Sequence, residues 1–239
     1  FNFLNDFIEE ETDVNFHPYP INYKSRISKE EYLKHVLDLK SHIQRGDIYE
    51  VNFCQEFYAE NVELEYLLDA YFKLNDITKA PFSSFVHYNE FSVLCGSPER
   101  FIKKEGSKIL SQPIKGTAPR HADPVIDHVV REELRNDPKE QAENVMIVDL
   151  VRNDLARIAE PNSVNVDELF GIYTFNTVHQ MISTISCTEK ANTSFTDVLR
   201  ATFPMGSMTG APKRSAMELI EKHESFKRGL YSGSIGYIT

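Results

Sequence analysis

Four short apolar segments follow one another between residues 82 and 114: FSSFVHY, FSVLCG, RFIKK and KILSQPI, separated only by turn-like breaks. A parallel crossover needs a dozen or so connecting residues, so gaps this small dictate successive antiparallel strands. Helical spacing lies on either side. Ser28-Lys29-Glu30-Glu31 is a capping-box sequence, Leu33, Val36, Leu37, Lys40 and Ile43 follow at helical intervals, and Gly46 supplies a stop. Residues 48–58 alternate, with Val51, Phe53, Gln55 and Phe57 on one face and Glu50, Asn52, Cys54 and Glu56 on the other, which predicts a strand. Helices are predicted over 63–74, 122–135, 138–157, 194–203 and 212–224, extended chain over 163–187, and a final strand over 230–239. Helices arriving in groups between runs of strands argue for an α+β fold with large antiparallel sheets flanked by helices, not a βαβ repeat. Residues 1–20, ending His17-Pro18-Tyr19-Pro20, read as an extended lead-in, which leaves one domain over 21–239.

Composition narrows the function classes. With 26 Lys and Arg against 36 Asp and Glu the formal charge is −10, and the basic residues are dispersed, so a nucleic-acid or anionic-membrane surface is not expected. Cys54, Cys95 and Cys187 match neither a zinc spacing nor a disulfide framework. No apolar run approaches the roughly 18 residues of a membrane span, and the acidic start FNFLNDFIEEETD is unlike a signal peptide, so a cytoplasmic location is expected. Half of the 10 glycines, Gly206, Gly210, Gly229, Gly233 and Gly236, follow Met205, marking a region of special backbone.

Chemistry-bearing residues fall in five stretches. In GSPERFIKKEGSKILSQPIKGTAPR, Glu99 follows a turn and Lys115 precedes Gly116, where a ligand can approach the backbone. They are either solvated loop charges or an acid and a nucleophile. In DPKEQAENVMIVDLVRNDLARI, Glu140 and Glu143 are i, i+3 on a helix and share a face, suited either to solvent or to Mg²⁺. Asp149, Arg152, Asn153 and Asp154 interrupt the apolar run beyond them, which requires a buried ion-pair network or a site wall. Thr209-Gly210-Ala211-Pro212 precedes a helix whose N-terminus can seat an anion or simply cap a loop, while the Gly206-to-Lys213 spacing fails a Walker-type phosphate loop. His179 in TVHQMIST is a core histidine or a catalyst, and Tyr231 in RGLYSGSIGYI packs or reaches a ligand.

In order, GDIYEVNF, GSPERF, PIKGT, AENVMIVDLVRNDL, TVHQMIST, FPMGSMTGAPK and RGLYSGSIGYI resemble the chorismate-binding enzymes, and cover most of residues 43–239. The resemblance implies the anthranilate synthase component I-like fold. Within the family, Lys115 in PIKGT resembles the aminodeoxychorismate (para-aminobenzoate) synthase component I branch, where anthranilate synthases usually carry Ala; Glu50 departs from the Gln usual in that branch. The implied reaction is amination of chorismate to 4-amino-4-deoxychorismate, for para-aminobenzoate and folate synthesis, with ammonia from a glutamine amidotransferase subunit. Its alternatives are anthranilate synthase component I, in tryptophan synthesis, and a non-catalytic binding protein. By resemblance Lys115 attacks C2 of the ring, Glu99 protonates the departing C4 hydroxyl, and His179 orients that group. Gly116, Thr117, Thr209, Gly210 and Tyr231 bind substrate, and Glu140 and Glu143 hold Mg²⁺ as cofactor, offsetting the charge of a dianion on an acidic protein. Pro81, Phe82, Ser83, Ser84 and Phe85 match half of an effector pocket that holds tryptophan in relatives, although they also read as core strand. The resemblance further implies that the family's C-terminal portion lies beyond Thr239.

Overall fold

The computed structural model describes residues 21–62 and 66–239. The expected lead-in over 1–20 and the first residues of the helix expected over 63–74 lie outside the described residues. Strand β1 (Lys24–Ser25) leads into helix α1 (Lys29–Arg45), which begins where its capping box dictates. The Ser28 hydroxyl accepts from the Glu31 N–H at 3.2 Å while the Glu31 carboxylate accepts from the Ser28 N–H at 3.0 Å. Such a cap contributes about 1 kcal/mol. The helix stops at Gly46 in the left-handed region, φ +82°.

The single strand expected over 48–58 is not formed. Only β2 (Glu50–Val51) and β3 (Phe57–Tyr58) pair, on separate partners. Alternation marks a strand only where a neighbour runs alongside its whole length; here β3 meets the two residues of β1, and β2 meets the two residues of β11 (Gly210–Ala211). Helix α2 (Leu67–Thr78) then packs on a hairpin of β4 (Phe82–Tyr88) and β5 (Phe91–Ser97), which pair in full register.

The main sheet contains β6 (Arg100–Glu105), β7 (Lys108–Gln112), β8 (Ile114–Pro119), β9 (Asn165–Thr174) and β10 (Val178–Thr188). Its central strand is β10. One edge pairs with β9; the other is shared end to end by β7 (Thr188 opposite Lys108) and β8 (Val178 opposite Pro119). β7 and β8 are thus one run of chain broken at Pro113, which has no N–H to give a ladder. Helices α3 (Pro124–Asn136) and α4 (Pro138–Ala156) follow, each with proline in its first turn and an aspartate cap, Asp123 and Asp137.

Helix α4 lies between β8 and β10 on one side and, on the other, α5 (Phe195–Thr202), the single 3₁₀ turn over 206–208 and β11. That double burial accounts for its lack of a clean polar face. Ile147, Val148, Val151 and Leu155 join Ile109, Ile185, Cys187 and Val198 in the core, each such side chain contributing about 1.5–3 kcal/mol by leaving water. Of the four polar residues expected to need partners, Asp154 alone is buried, paired with Lys213 of α6 (Lys213–His223) at 2.5 Å. Asp149 and Arg152 pair with each other in solvent. The final strand expected over 230–239 is absent: these residues pair with no strand among the described residues, and Tyr237 and Ile238 are exposed. Among the described residues no helix is long and apolar enough to cross a membrane.

Candidate active site

The break at Pro113 builds the site. Downstream of it the Ile114 N–H points to the Glu99 carboxylate, 3.4 Å from Oε1, and Ser207 donates to the same oxygen at 2.6 Å. Both donors fall on Oε1. Burial raises the Glu99 carboxyl above the ordinary carboxylate range, against the lowering effect of those bonds and of the nearby Lys115. The sequence picked out Thr209 in this loop, but the Thr209 hydroxyl is spent on its own turn, on the carbonyls of Met205 and Gly206. Ser207, which it did not single out, is the loop hydroxyl that reaches the acid.

Lys115 comes next along β8. Its backbone carbonyl accepts from Asn144 Nδ2 at 3.1 Å. Asn144, wholly buried on α4, also donates to Met181 O and accepts from the Ser183 hydroxyl at 2.6 Å, so one amide clamps β8, β10 and α4 together. The Lys115 ammonium lies 3.7 Å from Glu50 and 3.8 Å from Glu143. Gly116 has φ +104°, and a Cβ there would stand 3.1 Å from Met181 Cβ and 3.2 Å from Glu140 Oε2, so only glycine lets α4 approach this closely. Thr117, one residue on, is exposed and pairs with Gln180.

Glu50 is brought in by β2. That strand presses on β11 so closely that a Cβ on Gly210 would lie 2.3 Å from the Glu50 carbonyl oxygen. Backbone bonds from Tyr49 to Ala211 O and from Asn52 to Thr209 O extend the contact. Burial pushes the Glu50 carboxyl above its ordinary range, Lys115 pulling the other way.

Glu140 and Glu143 do share a face, as their spacing dictates, and they converge on one cation: Lys139 Nζ is 2.8 Å from an oxygen of each. These carboxylates hold the lysine firmly protonated, its pKa raised well above the ordinary value. Two carboxylates that meet at one cationic atom are a donor set of the right chemistry for Mg²⁺. No third His, Cys, Asp or Glu gathers with them among the described residues, so water and substrate oxygens have to complete such a shell.

The remaining expected site residues have partners of their own. His179 is buried on β10, one ring nitrogen 3.0 Å from Asp127 Oδ1 and the other 3.0 Å from Thr174 Oγ1. Asp127, on α3, also takes Arg120 on both oxygens and the His121 N–H. The histidine therefore sits in a network of its own at the far end of β8. Tyr231 is largely exposed on a groove of about 270 Å³ lined by Phe203, Met208, Thr209, Met217, Phe226 and Arg228. Arg228 ties that groove to the loop, donating to Met208 O and Asn52 O while pairing with the Glu224 carboxylate. Pro81 precedes β4, on which Phe82 lies under the Arg100 guanidinium, Phe85 packs on Tyr71, and the Ser83 and Ser84 hydroxyls are buried without a hydrogen-bond partner.

The model of one family, chorismate binding enzyme, matches residues 5–239. The aminodeoxychorismate synthase component 1 of Klebsiella aerogenes is 45% identical over 217 residues, covering 91% of this chain and 48% of that protein. Anthranilate synthase component 1 of Aquifex aeolicus is 34% identical over 240 residues, 99% of this chain and 46% of that one. The solved structure of anthranilate synthase component I from Streptococcus pneumoniae TIGR4 superposes with a TM-score of 0.83 at 28% identity, covering 99% of this chain and 52% of that chain. The chain thus spans about half the length of the curated relatives it matches.

Proposed function

Because the chain belongs to the chorismate binding enzymes, we propose that its site performs the aminodeoxychorismate synthase component I reaction, replacing the C4 hydroxyl of chorismate with an amino group. The observation that carries this reading is the pairing of one amine and one buried carboxyl around Pro113. Lys115 supplies the nucleophile, and Glu99, its carboxyl raised by burial and its Oε1 held by Ser207, supplies an acid.

In the first half-reaction the Lys115 nitrogen forms a bond to C2, the ring double bonds shift, and the C4 oxygen leaves as water with the proton from Glu99. Ammonia then bonds to C4 and the lysine is expelled. Glu140 and Glu143 hold Mg²⁺, which when bound offsets the negative charge of a dicarboxylate and anchors it. The backbone around Gly116 and Thr117 and the loop at Thr209-Gly210 face the same ligand, with Tyr231 as a further contact. His179, held by Asp127 and Thr174, orients the departing C4 hydroxyl. Ammonia comes from a glutamine amidotransferase partner, the product leads to para-aminobenzoate and folate, and the reaction takes place in the cytoplasm.

The test is product identification: intact protein with chorismate, Mg²⁺ and ammonium yields 4-amino-4-deoxychorismate, and Lys115→Ala abolishes it without unfolding the protein. Anthranilate as the product overturns the assignment to this branch, absence of turnover overturns the enzymatic reading, and retained activity in Lys115→Ala removes the lysine from the chemistry.

A further inference from the structure

The loop that carries Ser207 has three consecutive carbonyls held by two residues outside it. The Ser207 carbonyl accepts from the Asn52 side-chain amide, the Met208 carbonyl from Arg228 Nη1 at 2.7 Å, and the Thr209 carbonyl from the Asn52 N–H at 2.8 Å. Arg228 also holds Asn52 itself, donating from Nη2 to its carbonyl at 2.8 Å. The guanidinium is pinned in turn by the Glu224 carboxylate, Nε to Oε2 at 2.8 Å and Nη2 to Oε1 at 2.6 Å, and the Glu224 side chain is only 3% exposed. A planar fork presents its donors in fixed directions, which a single ammonium cannot reproduce. On its other side the loop rests against α4, where a Cβ on Gly206 would stand 2.5 Å from Leu150 Cδ2. Held between the two, the Ser207 hydroxyl donates to Glu99 Oε1 at 2.6 Å.

Resting on the reading above, we propose that Arg228 is a positioning residue for the acid: through Asn52 and the Met208 carbonyl it fixes the loop so that the Ser207 hydroxyl stays on Glu99 as that carboxyl gives up its proton. The benefit falls on the proton-transfer step. A carboxyl that ionises away from water needs a donor, and a donor to the charged form makes the proton easier to release. The charged group facing Glu99 is Lys115 on β8, and its other donor is the Ile114 N–H. The titratable groups facing Arg228 are Glu224 at the end of α6, Cys54 between β2 and β3, and Tyr231. Arg228 therefore acts on the acid through the chain of bonds that ends at Ser207.

The experiment compares wild type, Ser207→Ala, Arg228→Lys and the double variant in intact protein, following 4-amino-4-deoxychorismate formation from chorismate, Mg²⁺ and ammonium against pH. Lysine keeps a cation beside Glu224, but its one nitrogen cannot span both carbonyls and both carboxylate oxygens. In each single variant kcat is expected to fall by about tenfold or more. The alkaline limb of its pH profile should move to higher pH, because an acid that has lost a donor to its charged form holds its proton more tightly. The double variant should fall no further than the worse single one, as expected of two residues that act through one bond. Amide hydrogen exchange over residues 205–209, measured without substrate, should quicken in Arg228→Lys. Asn52→Ala, which spares the Arg228–Glu224 pair, should move the limb the same way and replaces Arg228→Lys if that variant fails to fold. An unmoved limb in these variants, or additive losses in the double variant, overturns the proposal while leaving the chorismate reading intact. A wild type that forms no product overturns that reading and this proposal together.

Discussion

At the scale of single residues, the site depends on groups whose importance is not visible in their own neighbourhood in the chain. Asn144 occupies an unremarked position in the α4 sequence, yet its one amide satisfies the Lys115 and Met181 carbonyls and the Ser183 hydroxyl inside the core. Asn144→Ala leaves those three groups buried without this partner, each worth about 1–3 kcal/mol when orphaned. Urea unfolding of the variant is therefore expected to show a loss of at least about 2 kcal/mol; an unchanged midpoint means that the clamp adds nothing. Glu99, Lys115, Glu140 and Glu143 were legible as candidates because turns, glycine and helical spacing are local. Ser207 was not, because its partner Glu99 is 108 residues away, and Lys139 was not, because nothing in the run Lys139-Glu140 says that its ammonium folds back between two carboxylates.

At the scale of elements, two devices set the geometry. Pro113 divides one long strand so that β7 stays in the core ladder while the start of β8 turns its N–H and its lysine toward the site. Helix α4 then serves both sides, holding the sheet through Asn144 and the α6 segment through Asp154. The Asp154–Lys213 pair is buried, with burial raising the aspartate and lowering the lysine, which places its cost in desolvation and its benefit in pairing. Removing one partner strands the other. Lys213→Met alone is expected to destabilise by about 3–5 kcal/mol, and adding Asp154→Leu to recover much of that loss, as measured by a double-variant cycle in chemical denaturation. If the double variant is as unstable as the single one, the lysine acts through packing and not through its charge. The helices were readable to within a few residues from capping and spacing. The strand expected over 48–58 was not, because its alternating pattern is spent on two short pairings with different partners.

At the scale of the whole molecule, the −10 charge is gathered unevenly: Glu50, Glu99 and Glu143 lie near Lys115, while the Arg120–Asp127–His179 network closes the opposite end of β8. Asp127 gives stability a defined response to acid. Arg120, then the His121 N–H and His179, hold its carboxyl well below the ordinary 3.8. A depressed folded-state pKa contributes stability that is fully present above the unfolded value and lost as pH falls toward the folded one. Between about pH 5 and about pH 3 the wild-type melting temperature should therefore fall more steeply than that of Asp127→Asn, with the two curves furthest apart near neutrality; parallel curves would contradict the assignment. By itself the sequence determined the α+β class, the strand segments that pair as the hairpins β4–β5 and β6–β7, the helix caps and the candidates for the chemistry, because periodicity, capping and turn formation act over a few neighbouring residues. Only the tertiary structure decided which acids meet Lys115, that Ser207 and not Thr209 reaches Glu99, that His179 is committed to Asp127, and that residues 230–239 form no strand. Those outcomes rest on pairings between segments far apart in the chain, above all β2 with β11 and α4 with β8, and no local pattern encodes which distant partner a segment finds.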